Sequence, residues 1–542
     1  MKSKDLKARW QVYSDDVMTE VVAWRGQHPQ ATFQEIESAI DDRLARLRAH
    51  MLEDAAVASD VADLRDTPEM HRPPCPVCGT RVKHQTRDRR TLLTQHGQTV
   101  TLERSYAVCP KCGETFFPLD EELALLPGPL TPSIQEAVTR LGNRIPFAQA
   151  QEELRAMWHV DVSAPTIRRQ AETAGAAYVT LQTTAVDRLE QVLPPSPPGP
   201  DCQQMSVDGA MVPLVHKEWG EMRTLALGVV EQPVLKDGEV EVHTGQVSYF
   251  SRMCDAETFT RLATVETHRR GTETAKVVCA VVDGAPWEQN FIDMHRADAV
   301  RILDFPHAAE YVSAVGHAIH GEGTEAFSQW LTAELHELKH GKPETVIADL
   351  RRLGVRVTES GAAGDGARAT IDASVAYLEK RVEQMRYAQF VALGYPIGSG
   401  MVESGHTVVI EARLNGAGMH WTRTHANEMG ALRSMLCSGR WDDEWPLISD
   451  HLRLKAREQR REARHRRHTA AAKACAQGDP VQPVGQAARP TPVPPDQSKV
   501  QGVDRERCET GPTRPAANHP WRHSPVGRAR YRRSEQPVPP KT

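Results

Sequence analysis

No run of apolar residues in this chain approaches the ~20 needed to cross a bilayer. The opening stretch, MKSKDLKARWQVYSDD, is charged throughout and lacks the apolar centre of a signal peptide. Both absences lead to the expectation of a cytoplasmic protein with no membrane partner. Cysteine is sparse as well. Ten in 542 residues are too few and too scattered for the disulfide framework of a secreted domain. Cys202, Cys254, Cys279, Cys437, Cys475 and Cys508 stand singly and receive no role. Net charge is nearly absent, at −5, and taken alone it argues against a nucleic-acid partner.

What is present is unevenly placed. The segment His451 to His468, HLRLKAREQRREARHRRH, carries eight Arg or Lys against two Glu, and the tail from Arg505 to Lys541 is again Arg-rich. Local basic density matters more than net charge for phosphate binding. The chain is too long for one compact core. Five regions are read: a helical region over 1–70, a zinc ribbon over 71–125, a helix-turn-helix-like domain over 126–193, a sheet domain over 201–440, and a basic segment with a disordered Pro/Arg-rich tail over 441–542.

In the first region, Phe33, Ile36, Ile40, Leu44, Leu47 and Leu52 follow a helical period, with Thr32 as the cap. The bland reading is a packing or dimerisation helix. Next come two CxxC pairs, Cys75 with Cys78 and Cys109 with Cys112, flanking a hairpin whose turn is HGQ. Four thiolates satisfy tetrahedral Zn²⁺ and leave no open position, so this zinc would be structural. Thr131 to Ala176 reads as three short helices, with Ser163 capping the last and Pro165 in its first turn. That pattern fits a helix-turn-helix reading DNA through Arg168 and Arg169, and it fits a plain helical hairpin equally.

After the stiff linker PPSPPGP the pattern turns to strands in the order β-β-β-α-β-α-β-α, the order of a ribonuclease H-like mixed sheet. Asp208 in MSVDGAMVPL ends the first strand and Asp283 in VVCAVVDGAPW ends the fourth, which such a sheet sets side by side. Glu403 in PIGSGMVESGH opens a helix beyond an all-α insertion at about 308–395. Three carboxylates brought together from such distances suit Mg²⁺ or Mn²⁺ beside substrate phosphate. In LDFPHAAEY, Asp304 and His307 stand either as accessory groups at this site or as caps of the next helix. Past Glu403, Arg413, His420, Trp421 and Arg423 surround a Gly-rich turn, either against a nucleic-acid backbone or on an ordinary helical hairpin.

In combination, CPVCG, SYAVCPKCGETFFPLD, SVDGAMVPL, VVDGAPW, RILDFPHAAEY, YPIGSGMVES and EARLNGAGMHW resemble bacterial insertion-sequence transposases of the ISKra type, which are similar to Mutator-like elements. The resemblance covers roughly residues 70 to 440. It implies a DDE triad of Asp208, Asp283 and Glu403 holding two Mg²⁺ or Mn²⁺, and a [C/D]xxH motif at Asp304 and His307. The implied activity is metal-dependent cleavage and transfer of DNA strands at terminal inverted repeats. Double-stranded DNA would be the partner, with the protein acting as a homo-oligomer at the nucleoid. A catalytically silent DNA-binding regulator and a nuclease of the same fold without strand transfer are the alternatives.

Overall fold

The computed structural model describes residues 3–236, 239–321, 323–360 and 365–476. The tail expected to be disordered lies outside the described residues beyond Ala476. Its first residues, from Thr469, instead continue a helix. Helices α1 (Ser3–Gln27) and α2 (Phe33–Val57) form a hairpin. Thr32 caps α2 as expected, its hydroxyl accepting from Glu35 N at 3.3 Å while its own N–H donates to the Glu35 carboxylate at 2.7 Å. Strands β1 (Lys83–Leu93) and β2 (Thr99–Val108) pair antiparallel through the HGQ turn, where His96 and Gly97 take left-handed backbone angles. A short β3 (Thr115–Phe116) adds to β2, and α3 (Pro118–Glu122) follows.

Helices α4 (Pro132–Arg144), α5 (Phe147–Trp158) and α6 (Ala164–Val192) enclose a small core of Ile134, Val138, Leu154 and Ile167. Ser163 sits at the N-cap of α6, but its side chain makes no capping bond. The helix runs far beyond the expected segment. Tyr178 packs beneath two later helices and Val186 joins the core of the sheet domain. The helical domain and the sheet domain therefore share α6 rather than meeting at residue 193.

The sheet domain is mixed α/β with a mixed sheet. Strands β4 (Cys202–Pro213) and β5 (Trp219–Val230) pair antiparallel, and after a small hairpin of β6 (Val234–Lys236) and β7 (Glu239–Glu241), β8 (Thr244–Arg252) pairs antiparallel with β5. Helix α7 (Ala256–Arg269) returns the chain so that β9 (Val277–Val282) lies parallel to β4. Helix α8 (Pro286–Arg296) does the same for β10 (Val300–Leu303) against β9. The five strands stand in the order β10-β9-β4-β5-β8. Alternation divides β9 cleanly. Val278, Ala280 and Val282 face α7 and α8, while Cys279 and Val281 face the opposite layer.

That opposite layer is the insertion: α9 (Phe305–His320), α10 (Glu325–His340), α11 (Pro343–Ser360), α12 (Asp365–Glu379) and α13 (Tyr387–Ala392). It leaves from the end of β10 and returns to the same point, where Phe305 N donates to Ile397 O at 2.9 Å. Its Val312, Leu350, Leu378 and Tyr387 share one core with Cys279, Val281 and Ile302, so it covers the sheet rather than standing apart. Helix α14 (Gly400–Gly405) then crosses β4 and β5, a π-turn spans His406–Glu411, and α15 (Ala412–Leu414), α16 (Arg423–Cys437) and α17 (Trp441–Ala476) complete the fold. Among the described residues, no helix is long and apolar enough to cross a membrane.

Candidate active site

Strand register brings the acids to one edge. Met205 of β4 is level with Ala280 of β9, and three residues further along each chain come Asp208 and Asp283. Val282 is level with Leu303 of β10, so the next residues, Asp283 and Asp304, are level too. Contrary to the expectation from sequence, Asp208 does not end its strand. The strand continues to Pro213 on β5, with Asp208 opposite Thr224, and only its parallel partner β9 stops. The carboxylate thus emerges where the sheet loses a strand, at an opening beside the continuing hairpin.

Glu403 reaches this edge on α14. Gly405 lets the helix approach the sheet, since a Cβ there would lie 2.8 Å from the Tyr249 ring. Asp304 fixes the start of the segment: one carboxylate oxygen accepts from Ser399 N at 2.6 Å and the other from His307 N at 3.0 Å. Asp304 therefore caps α9 and ties the two ends of the insertion together. Ser399 Oγ in turn donates to a Glu403 carboxylate oxygen at 3.4 Å.

The electrostatics of this edge are those of crowded, partly desolvated carboxylates. Burial pushes Asp208 up to about 6, against the hydrogen bond from Gly209 N, and Glu221, Glu403 and Asp304 push it further. Burial raises Asp283 to about 7, with Asp208 and Glu403 adding to the shift. Asp304 rises to about 6 by burial, in spite of the Ser399 and His307 amides. Asp208 and Asp283 nonetheless keep about a third of their side-chain area open, 36% and 37%, so they line a cleft rather than a sealed cavity. Two imidazoles stand at its wall. His307 Nδ1 lies 3.7 Å from Asp283, and His406 Nδ1 lies 3.6 Å from Asp208. Burial lowers the pKa of both, which keeps them poor counter-charges.

Besides Glu221, two more acids that sequence reasoning missed join the group. Glu288, buried in the first turn of α8, accepts from Ala285 N at 2.9 Å and is raised to about 9 by burial and then by Asp283. Its position three residues after Ala285 is that of a capping-box acid, and that was the available signal. Glu310 on α9 is raised by burial, with Asp283, Asp304 and Glu403 opposing its charge. The edge is not a preformed metal cage. Among the described residues, the one group of three or more ligand atoms all within 4.8 Å of one another is the four cysteines. The edge acids stand further apart than that.

The cysteines do converge. Cys75 Sγ lies 3.5 Å from Cys112 Sγ, and Cys78 Sγ lies 3.4 Å from Cys109 Sγ. Tetrahedral Zn–S bonds of about 2.3 Å set sulfurs about 3.8 Å apart, so the cluster can hold a metal such as zinc. Hydrogen bonds with Thr80 draw the Cys78 thiol down to about 6, toward the thiolate a metal needs.

The residues expected to touch DNA divide into two sets. Arg168 and Arg169 are exposed on α6, Arg168 pairing loosely with Glu172 at 3.8 Å, and His420 and Arg423 are exposed beside the Gly-rich turn. Arg413 and Trp421 are not at the surface. Arg413 is buried, donating through Nε and Nη2 to Gly142 O at 3.0 Å each, with its guanidinium between the rings of Phe147 and Trp421. Trp421 is buried and donates to Leu414 O. Arg413 joins α4 to the segment after Glu403, and the Trp421 ring meets Phe147 of α5 edge-on. Part of the basic stretch on α17 is similarly engaged, with Arg457 paired to Glu121 and Arg464 to Glu114 of the cysteine-bearing region. No protein-family model matches this chain, and no curated protein matches it either.

Proposed function

We propose that this chain is a DNA transposase of the ISKra type, with a ribonuclease H-like core whose triad is Asp208, Asp283 and Glu403. The observation that carries the reading is the level placement of Asp208 and Asp283 on adjacent parallel strands, with the Glu403 helix laid over the same edge. The strand order supports it further. The first strand is central, a two-strand meander lies to one side, and two parallel crossover strands lie to the other, as a ribonuclease H-like core would have them.

The donor set fits hard divalent cations. Carboxylates crowd one edge, their charged forms are disfavoured by burial and by each other, and neither Asp208 nor Asp283 has an Arg or Lys partner among the described residues. Asp208, Asp283 and Glu403 would hold Mg²⁺ or Mn²⁺, with Asp304 positioning the Glu403 segment and His307 orienting Asp283. Bound cations would supply an activated water or 3′-hydroxyl and would stabilise the departing oxygen during displacement at phosphorus. The protein's own work is to hold the acids on a rigid sheet edge and to leave the cleft open for a DNA strand. The cysteine cluster would hold a structural zinc. Arg168, Arg169, His420 and Arg423 would meet double-stranded DNA, and two copies would bridge a pair of element ends.

A donor plasmid carrying the element's terminal inverted repeats tests this in the presence of Mn²⁺. The transposase reading predicts cut ends followed by products joined to a target. Cutting without joining identifies a nuclease, and no cutting at any metal concentration identifies a DNA-binding regulator.

A further inference from the structure

The turn that follows β9 leaves two backbone carbonyls, those of Asp283 and Gly284, beyond the end of the ladder. Both are taken by the helical insertion. Tyr377 at the end of α12 donates its hydroxyl to Asp283 O. Arg381, four residues on, donates through Nη2 to Gly284 O at 2.7 Å and through Nη1 to Tyr377 O at 3.1 Å. The fit is close. Gly284 holds a left-handed φ of 79°, and a Cβ there would collide with Arg381 Nε. The pair is itself braced, for the Arg381 guanidinium lies 3.7 Å from the Tyr377 ring centre, and Tyr377 stacks on Tyr311 at 3.9 Å and 6°. His307 stands edge-on to both rings, 5.9 Å from Tyr377 and 5.3 Å from Tyr311. Among the described residues Arg381 forms no ion pair with any carboxylate, although Asp283 is one residue from its hydrogen-bond partner.

We infer that Tyr377 and Arg381 are positioning residues that clamp the Asp283–Gly284 turn, which makes the helical insertion a working part of the metal site. The inference rests on the proposed metal-binding role of Asp283. Its physical basis is that a ligand carboxylate keeps its orientation only if its own backbone and outer hydrogen bonds are held. Loss of such outer partners typically costs 10–100-fold in metal affinity or activity. An insertion that merely covered the apolar face of the sheet would have no need to bond the carbonyls flanking this one acid. The stack through Tyr311 and His307 also links the clamp to α9, so that the first helix of the insertion and the end of α12 grip the same edge.

The test uses the full-length protein with Tyr377→Phe, Arg381→Ala and Arg381→Lys, reading Mn²⁺ affinity by calorimetry and Mn²⁺ half-saturation in plasmid cleavage. The expected result is a 10–100-fold weaker Mn²⁺ affinity for Tyr377→Phe and Arg381→Ala. Arg381→Lys should fall between these and the wild type, because its ammonium keeps donors but lacks the planar fork that reaches Gly284 O and Tyr377 O from separate nitrogens. Binding to element ends should be unchanged in all three, and Tyr377→Phe should melt without metal close to wild type, whereas Arg381→Ala also loses two backbone bonds and should melt lower. Affinities within twofold of wild type in all three variants overturn the clamp. Should Arg381→Ala fail to fold, Tyr377→Phe decides, since it removes a single oxygen. A wild type whose Mn²⁺ binding is no stronger than that of Asp208→Asn overturns the proposed metal site, and this inference with it.

Discussion

Replacing Glu288 with glutamine should change how the stability of α8 depends on pH, in a direction opposite to that of most carboxylates. Glu288 is 2% exposed and its carboxyl is raised from an ordinary 4.5 to about 9, by burial first and by the nearby Asp283 and Asp208. The unfolded chain releases this proton near pH 4.5, whereas the folded protein keeps it until about pH 9. Stability from this group is therefore fully present below pH 4.5 and is lost as pH rises through 9. Each pH unit in that window costs about 1.4 kcal/mol, so the loss between about pH 5 and 9 is on the order of 5 kcal/mol. The glutamine side chain would keep an oxygen for Ala285 N and nearly the same volume, but it would not titrate. In a protein of several domains the local opening energy is the sound quantity, measured by hydrogen exchange of the α8 amides after correction for intrinsic rates. Wild type and Glu288→Gln should agree near pH 5 and diverge steadily above it, the variant being the more stable. Parallel profiles from pH 5 to 9 would refute the reasoning, because they would mean that Glu288 is already ionised or already solvated in the folded state.

Other outcomes follow from the same structure. His295, half-buried against Phe291 and lowered to about 4 mainly by desolvation, works in the opposite sense. Its contribution is present above about pH 6.5 and is lost as pH falls toward 4, by about 3 kcal/mol, and His295→Gln should remove that acid limb from denaturation curves. Cys109→Ser should release a single zinc equivalent and abolish exchange protection across β1 and β2, while retained zinc would show that the four thiols do not act together. Arg413→Ala should lower stability by about 3 kcal/mol through its two bonds to Gly142 O and its lost packing. Arg423→Ala should leave the melting temperature alone and instead weaken DNA binding, with a salt slope smaller by about one. Equal behaviour of the two arginine variants would contradict their assignment to interior and surface.

The parts of this architecture that a sequence reader can see are those written in strong local patterns. Apolar runs ending in Asp, as in VVCAVVDGAP, mark a parallel strand and its edge acid together, and the two CxxC pairs declare the four-cysteine cluster before any geometry is known. The length of β4 is hidden because the same apolar run serves two partners, β9 up to Met205 and β5 all the way to Pro213. Arg413 and Trp421 mislead because a glycine turn rich in basic and aromatic residues looks like a surface. Their partners Gly142 and Phe147 lie some 270 residues earlier, where no local pattern can announce them. Glu288 and Glu310 escape notice for a related reason. A lone acid on an amphipathic helix normally faces water, and only the tertiary placement of α8 and α9 against the sheet edge buries Glu288 and brings the more open Glu310 near the other acids. The double service of α6 is equally silent, since its periodicity marks a buried face but not the partners, which are α16 and α17 around Tyr178 and the sheet-domain core around Val186.

The central claim is that Asp208, Asp283 and Glu403 act as one metal-holding unit on DNA, and cleavage of donor plasmid by three single variants tests it most directly. Asp208→Asn, Asp283→Asn and Glu403→Gln should each reduce Mn²⁺-dependent cleavage to background. Binding to element ends should stay unchanged, and metal-free Asp208→Asn and Asp283→Asn should be no less stable than wild type, because each removes a charge that burial and the neighbouring carboxylates disfavour. Cleavage retained by any one of them would remove that residue from the triad, and cleavage retained by all three would contradict the account.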